Sequence, residues 1–347
     1  MGGAAMGRGG NSGSGAAAPK DSSPTAVASW VHDLGGAAKI ENGAVIEVVL
    51  ASTPITDAQI KALAALTKLR HLNIEATEVG DVGFRALSNL PALEELDISH
   101  TTITDTGLQS LKGSKSLRRL YANHTSIRGA SLTNFPALVD LELSGSTIND
   151  ESLQSIGALT SIEHLRLSYT DVTNAGLAHL KSLTKLHTLD VSSNDIDDTG
   201  LASIGQIASL RALNVAYDRY TDKGLAQLKP LVNLERLQLA RSKISDKGVA
   251  ELAALKSLKS LNLNYTLVTD TVLDSLKTLP NLEELSLDTG AITDKAIDTF
   301  AAMKSLKRLN LYHTLVSENG QKKLTAALPA CQVIFDRESS LPTRRGS

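Results

Sequence analysis

Histidine, tyrosine and arginine side chains recur at a nearly constant spacing along this chain, in which only 3% of the residues are aromatic. Most of them stand four residues after a leucine that itself recurs about every 24 residues. Such side chains are enriched at interface hot spots or combine apolar area with a hydrogen-bonding group. We therefore predict a partner-binding surface on a concave sheet, formed by His100, Tyr121, His124, Tyr169, Tyr217, Arg241, Tyr265, Tyr312 and His313.

The same side chains are open to other interpretations. Stacking between neighbouring repeats would let the rings stiffen the scaffold without any ligand. His100 and His124, with Asp97 nearby, could hold a metal ion, but two imidazoles without a patterned third ligand are weak evidence for a site. No serine or cysteine nucleophile has a base in phase with it, so we expect no catalytic residues, no metal and no cofactor.

Composition and charge exclude several classes of protein. The chain has 347 residues with 35 Lys+Arg against 37 Asp+Glu, and a formal net charge of −2 gives no basic field for nucleic acid. Cys331 is the only cysteine, which excludes an internal disulfide framework. No apolar run is long enough to span a membrane, and no secretory signal pattern follows Met1. We expect a soluble protein, cytoplasmic by default, with an envelope-tethered or secreted protein as the alternative.

The elements that position these side chains follow from an internal repeat. One unit reads Leu93-x-x-Leu96-x-Ile98-x-x-Thr101-x-Ile103-Thr104-Asp105-x-Gly107-Leu108-x-x-Leu111, and it recurs on a 24-residue grid with one 21-residue step from Leu120 to Leu141. The Leu-x-Leu alternation predicts a short strand with one buried face. The Thr-Asp pair predicts a helix start, because a hydroxyl or carboxylate there can accept hydrogen bonds from first-turn amides. Each unit is therefore strand, turn, helix, turn.

A column of aspartates marks these helix starts on the convex side. We interpret it as helix capping rather than as a metal or acid-base site. Its members are Asp57, Asp81, Asp105, Asp150, Asp198, Asp222, Asp246, Asp270 and Asp294, and only Gly129 breaks the column without a close substitute.

No such unit can bury its apolar face alone, so about 12 units must stack into one continuous core. The pattern resembles the leucine-rich repeat family over residues 45–335, and within it the bacterial 24-residue repeats of the Thr-x-Ile-Thr-Asp-x-Gly-Leu kind. The resemblance implies an α/β solenoid, curved, with a parallel sheet on the concave face and short helices on the convex face. Proteins of this fold bind partners on the concave face.

The chain ends predict a cap and two flexible segments. Residues 25–44 form an N-terminal cap, with a short helix carrying Trp30 over the first repeat and a hairpin turn at Glu41-Asn42-Gly43. Residues 1–24 are rich in glycine, alanine and serine and predict a tether, and 336–347 predict a loose tail. The 21-residue repeat should lose its convex helix and kink the solenoid locally.

Charge also sorts along the repeats, which predicts either an oriented groove or an ordinary solvated surface. The acidic members are Glu75, Glu78, Glu95 and Asp97, and the basic members are Arg219, Arg236, Arg241 and Lys243. We expect a monomeric, non-catalytic scaffold that binds a protein partner. The alternative is a carbohydrate or cell-wall binder at a bacterial surface, since exposed aromatic rings also suit stacking on sugars.

Overall fold

The computed structural model describes residues 18–336, so residues 337–347 of the predicted tail and 1–17 of the predicted tether lie outside the described residues. Short strands and short helices alternate along the described chain. Its fourteen strands, β1 to β14 in chain order, are Ala37–Glu41, Ala44–Val49, His71–Asn73, Glu95–Asp97, Arg119–Tyr121, Asp140–Glu142, His164–Arg166, Thr188–Asp190, Ala212–Asn214, Arg236–Gln238, Ser260–Asn262, Glu284–Ser286, Arg308–Asn310 and Gln332–Ile334.

The return segments on the other side are α-helices or tighter 3₁₀ turns. The α-helices, α1 to α11, are Pro24–Asp33, Asp81–Phe84, Asp105–Leu108, Asp150–Gly157, Asn174–Leu177, Asp198–Ile204, Asp222–Leu225, Asp246–Ala250, Leu273–Leu276, Ile297–Ala302 and Glu318–Ala327. The 3₁₀ segments are Ile60–Leu63, Arg85–Leu87, Gln109–Leu111, Leu132–Asn134, Ala178–Ser182, Ala226–Leu228, Glu251–Ala254, Asp270–Val272 and Asp294–Ala296. None of the helices in residues 18–336 is long and apolar enough to cross a membrane.

The strands form one sheet in sequence order, which confirms the predicted solenoid. β1 and β2 are antiparallel, and every later strand pairs in parallel with the one before it. The central leucines of β3 to β13 face one another in register, as Leu96 faces Leu120, and these leucines are buried. Each buried leucine contributes roughly 1.5–3 kcal/mol, so the ladder of leucines holds neighbouring repeats in register.

The 21-residue repeat keeps this register, because Leu120 still pairs with Leu141. Its missing residues come from the convex segment, which shrinks to the 3₁₀ turn Leu132–Asn134. The predicted loss of the convex helix is therefore confirmed. The local kink in the solenoid stays a prediction.

The aspartate column caps helices differently from the sequence expectation. In a typical repeat the N-cap of the helix is the threonine, since Thr104 Oγ1 accepts from Thr106 N at 3.1 Å. The aspartate reaches the next repeat instead: Asp81 accepts from Thr104 N at 2.8 Å, from the Thr104 hydroxyl at 2.8 Å and from Gly107 N at 3.0 Å. A Cβ on Gly107 would lie 2.5 Å from Asp81 Oδ1. The aspartate of one repeat thus accepts hydrogen bonds from the start of the next helix, and the glycine leaves room for this contact.

The residues ahead of the first repeat form one helix and one antiparallel hairpin. Helix α1 starts at Pro24 with Ser23 as its N-cap, and Trp30 is buried against the first repeat. Asn42 and Gly43 have φ of 49° and 75°, which is the left-handed pair that a tight hairpin turn between β1 and β2 requires. Cys331 is buried at the other end of the core, as expected for a small apolar side chain.

Candidate protein-binding surface

The sheet face is formed by the first and third residue of each three-residue strand, because the central leucine points into the core. This face is polar, and charges pair between neighbouring strands. Arg119 Nε donates to Glu95 Oε2 at 2.6 Å, and Arg166 forms an ion pair with Glu142. Hydrogen bonding to Glu95 raises the pKa of Arg119. Part of the charge on the sheet face is therefore neutralised by ion pairs between neighbouring strands.

Tyr121 is the one predicted contact residue that lies within a strand. It is the last residue of β5, in register with Asp97 on one side and Glu142 on the other. Its ring is half-buried, and burial, followed by the charges of Glu95 and Asp140, raises the pKa of its hydroxyl. Tyr121 therefore presents a neutral hydrogen-bond donor on the sheet face.

The other eight predicted contacts do not lie on the sheet, and this corrects the sequence expectation. Each strand ends one residue after its central leucine, so a residue four positions on has already entered the following turn. Seven of the eight have left-handed backbones, while Tyr312 lies just before one of them. The left-handed residues, with φ between 51° and 64°, are His100, His124, Tyr169, Tyr217, Arg241, Tyr265 and His313.

This left-handed position recurs in every repeat, and we name it, together with the position two residues later, the turn edge. Its backbone is fastened between repeats, as Tyr217 N donates to Ala240 O at 2.9 Å and Arg241 N donates to Asn264 O at 2.9 Å. A left-handed backbone costs an ordinary L-residue roughly 1–2 kcal/mol and suits glycine or asparagine. Bulky tyrosine, histidine and arginine therefore occupy the position against the backbone preference.

Two side-chain clusters lie along the turn edge. The rings of His100 and His124 stack with centroids 4.6 Å apart and planes 21° apart. Further along, the Arg241 guanidinium lies 5.5 Å from the Tyr217 ring centroid and 4.3 Å from that of Tyr265. Some of these rings therefore do stack between repeats, as the structural alternative predicts.

Tyr169 and the C-terminal end of the edge behave differently. Tyr169 is 67% exposed, and no ring contact involves it among the described residues. Tyr312 packs edge-on to His313 at 3.9 Å, and His313 Nδ1 lies 3.0 Å from Asp288 Oδ1. Stacking between repeats therefore gives no reason for a tyrosine at position 169.

The charges that the sequence sorts along the repeats lie on both surfaces. Glu95, Asp97 and Arg236 stand in strands on the sheet face, whereas Arg241 and Lys243 lie on the turn edge. Across residues 18–336 no three histidine, cysteine, aspartate or glutamate side chains come together as a metal site. The structure thus gives no support to a metal at the histidine pair.

Two buried polar residues in the repeat that contains β9 are absent from the sequence-based predictions. Asp218 occupies the column that holds threonine in most repeats, and Tyr220 occupies the column of Ile103. Both are buried, and Asp218 Oδ2 has no hydrogen-bond partner among the described residues. Burial raises the pKa of Asp218 to about 8 and also raises that of Tyr220. The two departures from the repeat columns were the signal that could have found them.

Comparison with known proteins identifies the class. The family model described as leucine-rich repeat region matches residues 116–322, and a second leucine-rich repeat model matches residues 67–127. The chain belongs to the leucine-rich repeat family. No curated protein matches the chain.

Two solved structures share the fold. One is an internalin from Listeria monocytogenes, with a TM-score of 0.65 and 23% identity over 86% of this chain and 91% of that chain. The other is a leucine-rich repeat protein from Leptospira interrogans, with a TM-score of 0.56 and 17% identity over 79% of this chain and 80% of that one. At these identities the likeness concerns the fold.

Proposed function

We propose that this protein is a non-catalytic scaffold that binds a protein partner through the turn edge and the adjoining sheet face. The leucine-rich repeat fold is typical of protein-interaction scaffolds. The observation that carries the proposal is the choice of side chains at left-handed positions, where Tyr169, Tyr217 and Tyr265 oppose the backbone preference. Locally unfavourable conformations that persist at exposed positions point to a functional constraint.

A protein suits this surface better than a neutral carbohydrate. Two of the three turn-edge tyrosines have a charged turn-edge residue two positions later, namely Asp171 after Tyr169 and Arg219 after Tyr217. Tyrosine and arginine are the residue types that contribute most to protein–protein hot spots. A folded partner can match both rings and charges, whereas a neutral glycan uses only the rings.

The experiment is affinity capture from a lysate of the source cell, quantified by mass spectrometry. The wild type is compared with a triple variant, Tyr169→Asn/Tyr217→Asn/Tyr265→Asn, in which asparagine tolerates the left-handed backbone. The matched control is Val82→Ala/Val232→Ala, which truncates exposed apolar side chains outside the turn edge.

The proposal predicts a protein that the wild type and the control retain and the triple variant loses. Identical protein profiles for all three would contradict it. A glycan array probed with the wild type then tests the carbohydrate alternative.

A further inference from the structure

Six residues of three consecutive repeats form a compact grid on the turn edge. In each repeat the residues four and six positions after the central leucine are exposed, and the residue between them is buried. We name this grid the basic edge patch, and its residues are Tyr217, Arg219, Arg241, Lys243, Tyr265 and Leu267. It therefore brings three cations together with two rings and one exposed leucine.

Arg241 is the pre-organised centre of the patch. Its guanidinium lies between the rings of Tyr217 and Tyr265, at 5.5 and 4.3 Å from their centroids, which restricts its orientation. Its left-handed backbone is held by the bond from Arg241 N to Asn264 O. No side-chain hydrogen bond or ion pair of Arg241 is present among the described residues, so its planar donors face no internal acceptor.

The remaining members set the charge and shape around Arg241. Arg219 forms an ion pair with Asp195, whereas Lys243 has no ion pair in the part of the chain that the structure describes. Leu267 is 65% exposed, and it occupies the position equivalent to Lys243 in the following repeat. The patch thus offers two unpaired cations next to an apolar side chain and a tyrosine ring.

We infer that the basic edge patch binds an extended acidic segment of a protein partner, an inference that rests on the proposed function. Carboxylates of the segment pair with Arg241 and Lys243, since a guanidinium held in a fixed plane suits bidentate pairing with a carboxylate. An apolar side chain next to the carboxylates packs on Tyr265 and Leu267. Restricting Arg241 before binding reduces the ordering cost of the complex.

The charges around the patch argue against nucleic acid as the occupant. Asp171 and Asp195 lie on the turn edge in the two preceding repeats, where a phosphate backbone running along the edge would meet them. With a net charge of −2, the chain also lacks the broad basic surface that nucleic-acid binding uses. A short acidic segment needs to cross only three repeats, which about five extended residues span.

The test is selection from a displayed library of random peptides about twelve residues long. The wild type is compared with Arg241→Gln/Lys243→Gln. The matched control is Lys229→Gln/Lys256→Gln, which removes the same charge from the convex segments of the same region. Selected peptides are synthesised with a fluorescent label, and their affinity is measured by anisotropy at low and high salt.

We expect the selected peptides to be acidic. Their affinity for Arg241→Gln/Lys243→Gln should be about tenfold or more below that for the wild type, and their affinity for the control should equal that for the wild type. Their affinity for the wild type should weaken as the salt concentration rises. Selection of neutral or basic peptides, equal loss in both variants, or no enrichment by the wild type over the Arg241→Gln/Lys243→Gln variant would overturn it. A captured protein that the triple tyrosine variant loses but Arg241→Gln/Lys243→Gln keeps would overturn this inference alone. Capture unaffected by the tyrosine changes would contradict the proposed function itself.

Discussion

Replacing Asp218 with asparagine should make this protein more stable, and the gain should depend on pH. Asp218 is 5% exposed, its Oδ1 accepts from Asn194 N at 3.0 Å, and its Oδ2 has no partner among the described residues. Burial is the main reason that its pKa rises to about 8, and the backbone hydrogen bonds from Ile196 and Asn194 only partly oppose it. The folded protein therefore keeps a proton on Asp218 that the unfolded chain releases.

The sign and size of the effect follow from the two pKa values. The unfolded carboxyl titrates near pH 3.9. As the pH rises from about 4 to about 8, the unfolded chain loses the proton and the folded protein retains it, so the free energy of unfolding falls. The loss is about 1.4 kcal/mol per pH unit, or about 4 kcal/mol by about pH 7.

The amide variant Asp218→Asn removes this titration and keeps the hydrogen-bond acceptor. Asn194 shows in the preceding repeat that the column accommodates an amide. Its Oδ1 accepts from Thr170 N at 2.8 Å and its Nδ2 donates to Leu167 O at 2.9 Å. We therefore expect Asp218→Asn to match the wild type at about pH 4 and to exceed its unfolding free energy by about 4 kcal/mol at about pH 7.

The assay is urea denaturation followed by far-ultraviolet circular dichroism at several pH values in this window. Asp171→Asn, which removes an exposed carboxyl, serves as the control and should run parallel to the wild type. A difference between Asp218→Asn and the wild type that stays constant with pH would refute the argument.

Two further substitutions test separate parts of the structure, each by the free energy of unfolding. Asp222→Ala removes the acceptor of Ser245 N at 2.7 Å and of the Ser245 hydroxyl at 2.6 Å. Asp222→Ala should lower the free energy of unfolding by about 2 kcal/mol, and Asp222→Asn should lower it by less. Equal losses for the two variants would contradict a role for these hydrogen bonds between repeats. Tyr169→Gly should stabilise by roughly 0.5–1 kcal/mol because its φ is 54°; destabilisation would favour a structural role for the ring.

The repeat made most of the fold predictable. A constant spacing between central leucines forces neighbouring strands into register, and this holds even where the chain skips three residues, since Leu120 pairs with Leu141. The deletion could be assigned to the convex side because the strand pattern around both leucines is intact. Trp30 was recognisable as part of the cap because its helix carries apolar residues at helical spacing before two glycines.

The place of the predicted contact residues in the fold could not be read from the sequence. Leu-x-Leu alternation does not reveal that each strand ends one residue after the central leucine, so Tyr169 was assigned to the sheet and lies on the turn edge. A left-handed backbone is normally inferred from glycine or asparagine, whereas tyrosine, histidine or arginine holds seven of the twelve left-handed positions of this column. Asp81 was expected to cap its own helix because its bond to Thr104 of the next repeat is a contact between units.

The central claim is that the turn-edge tyrosines are kept for binding and not for the stability of the fold. The most direct test measures two quantities on Tyr169→Asn/Tyr217→Asn/Tyr265→Asn: its affinity for the captured partner by titration calorimetry and its free energy of unfolding. We predict an affinity at least about tenfold weaker with an unfolding free energy equal to or above that of the wild type. Unchanged affinity together with a loss of stability would contradict the account and make these rings structural.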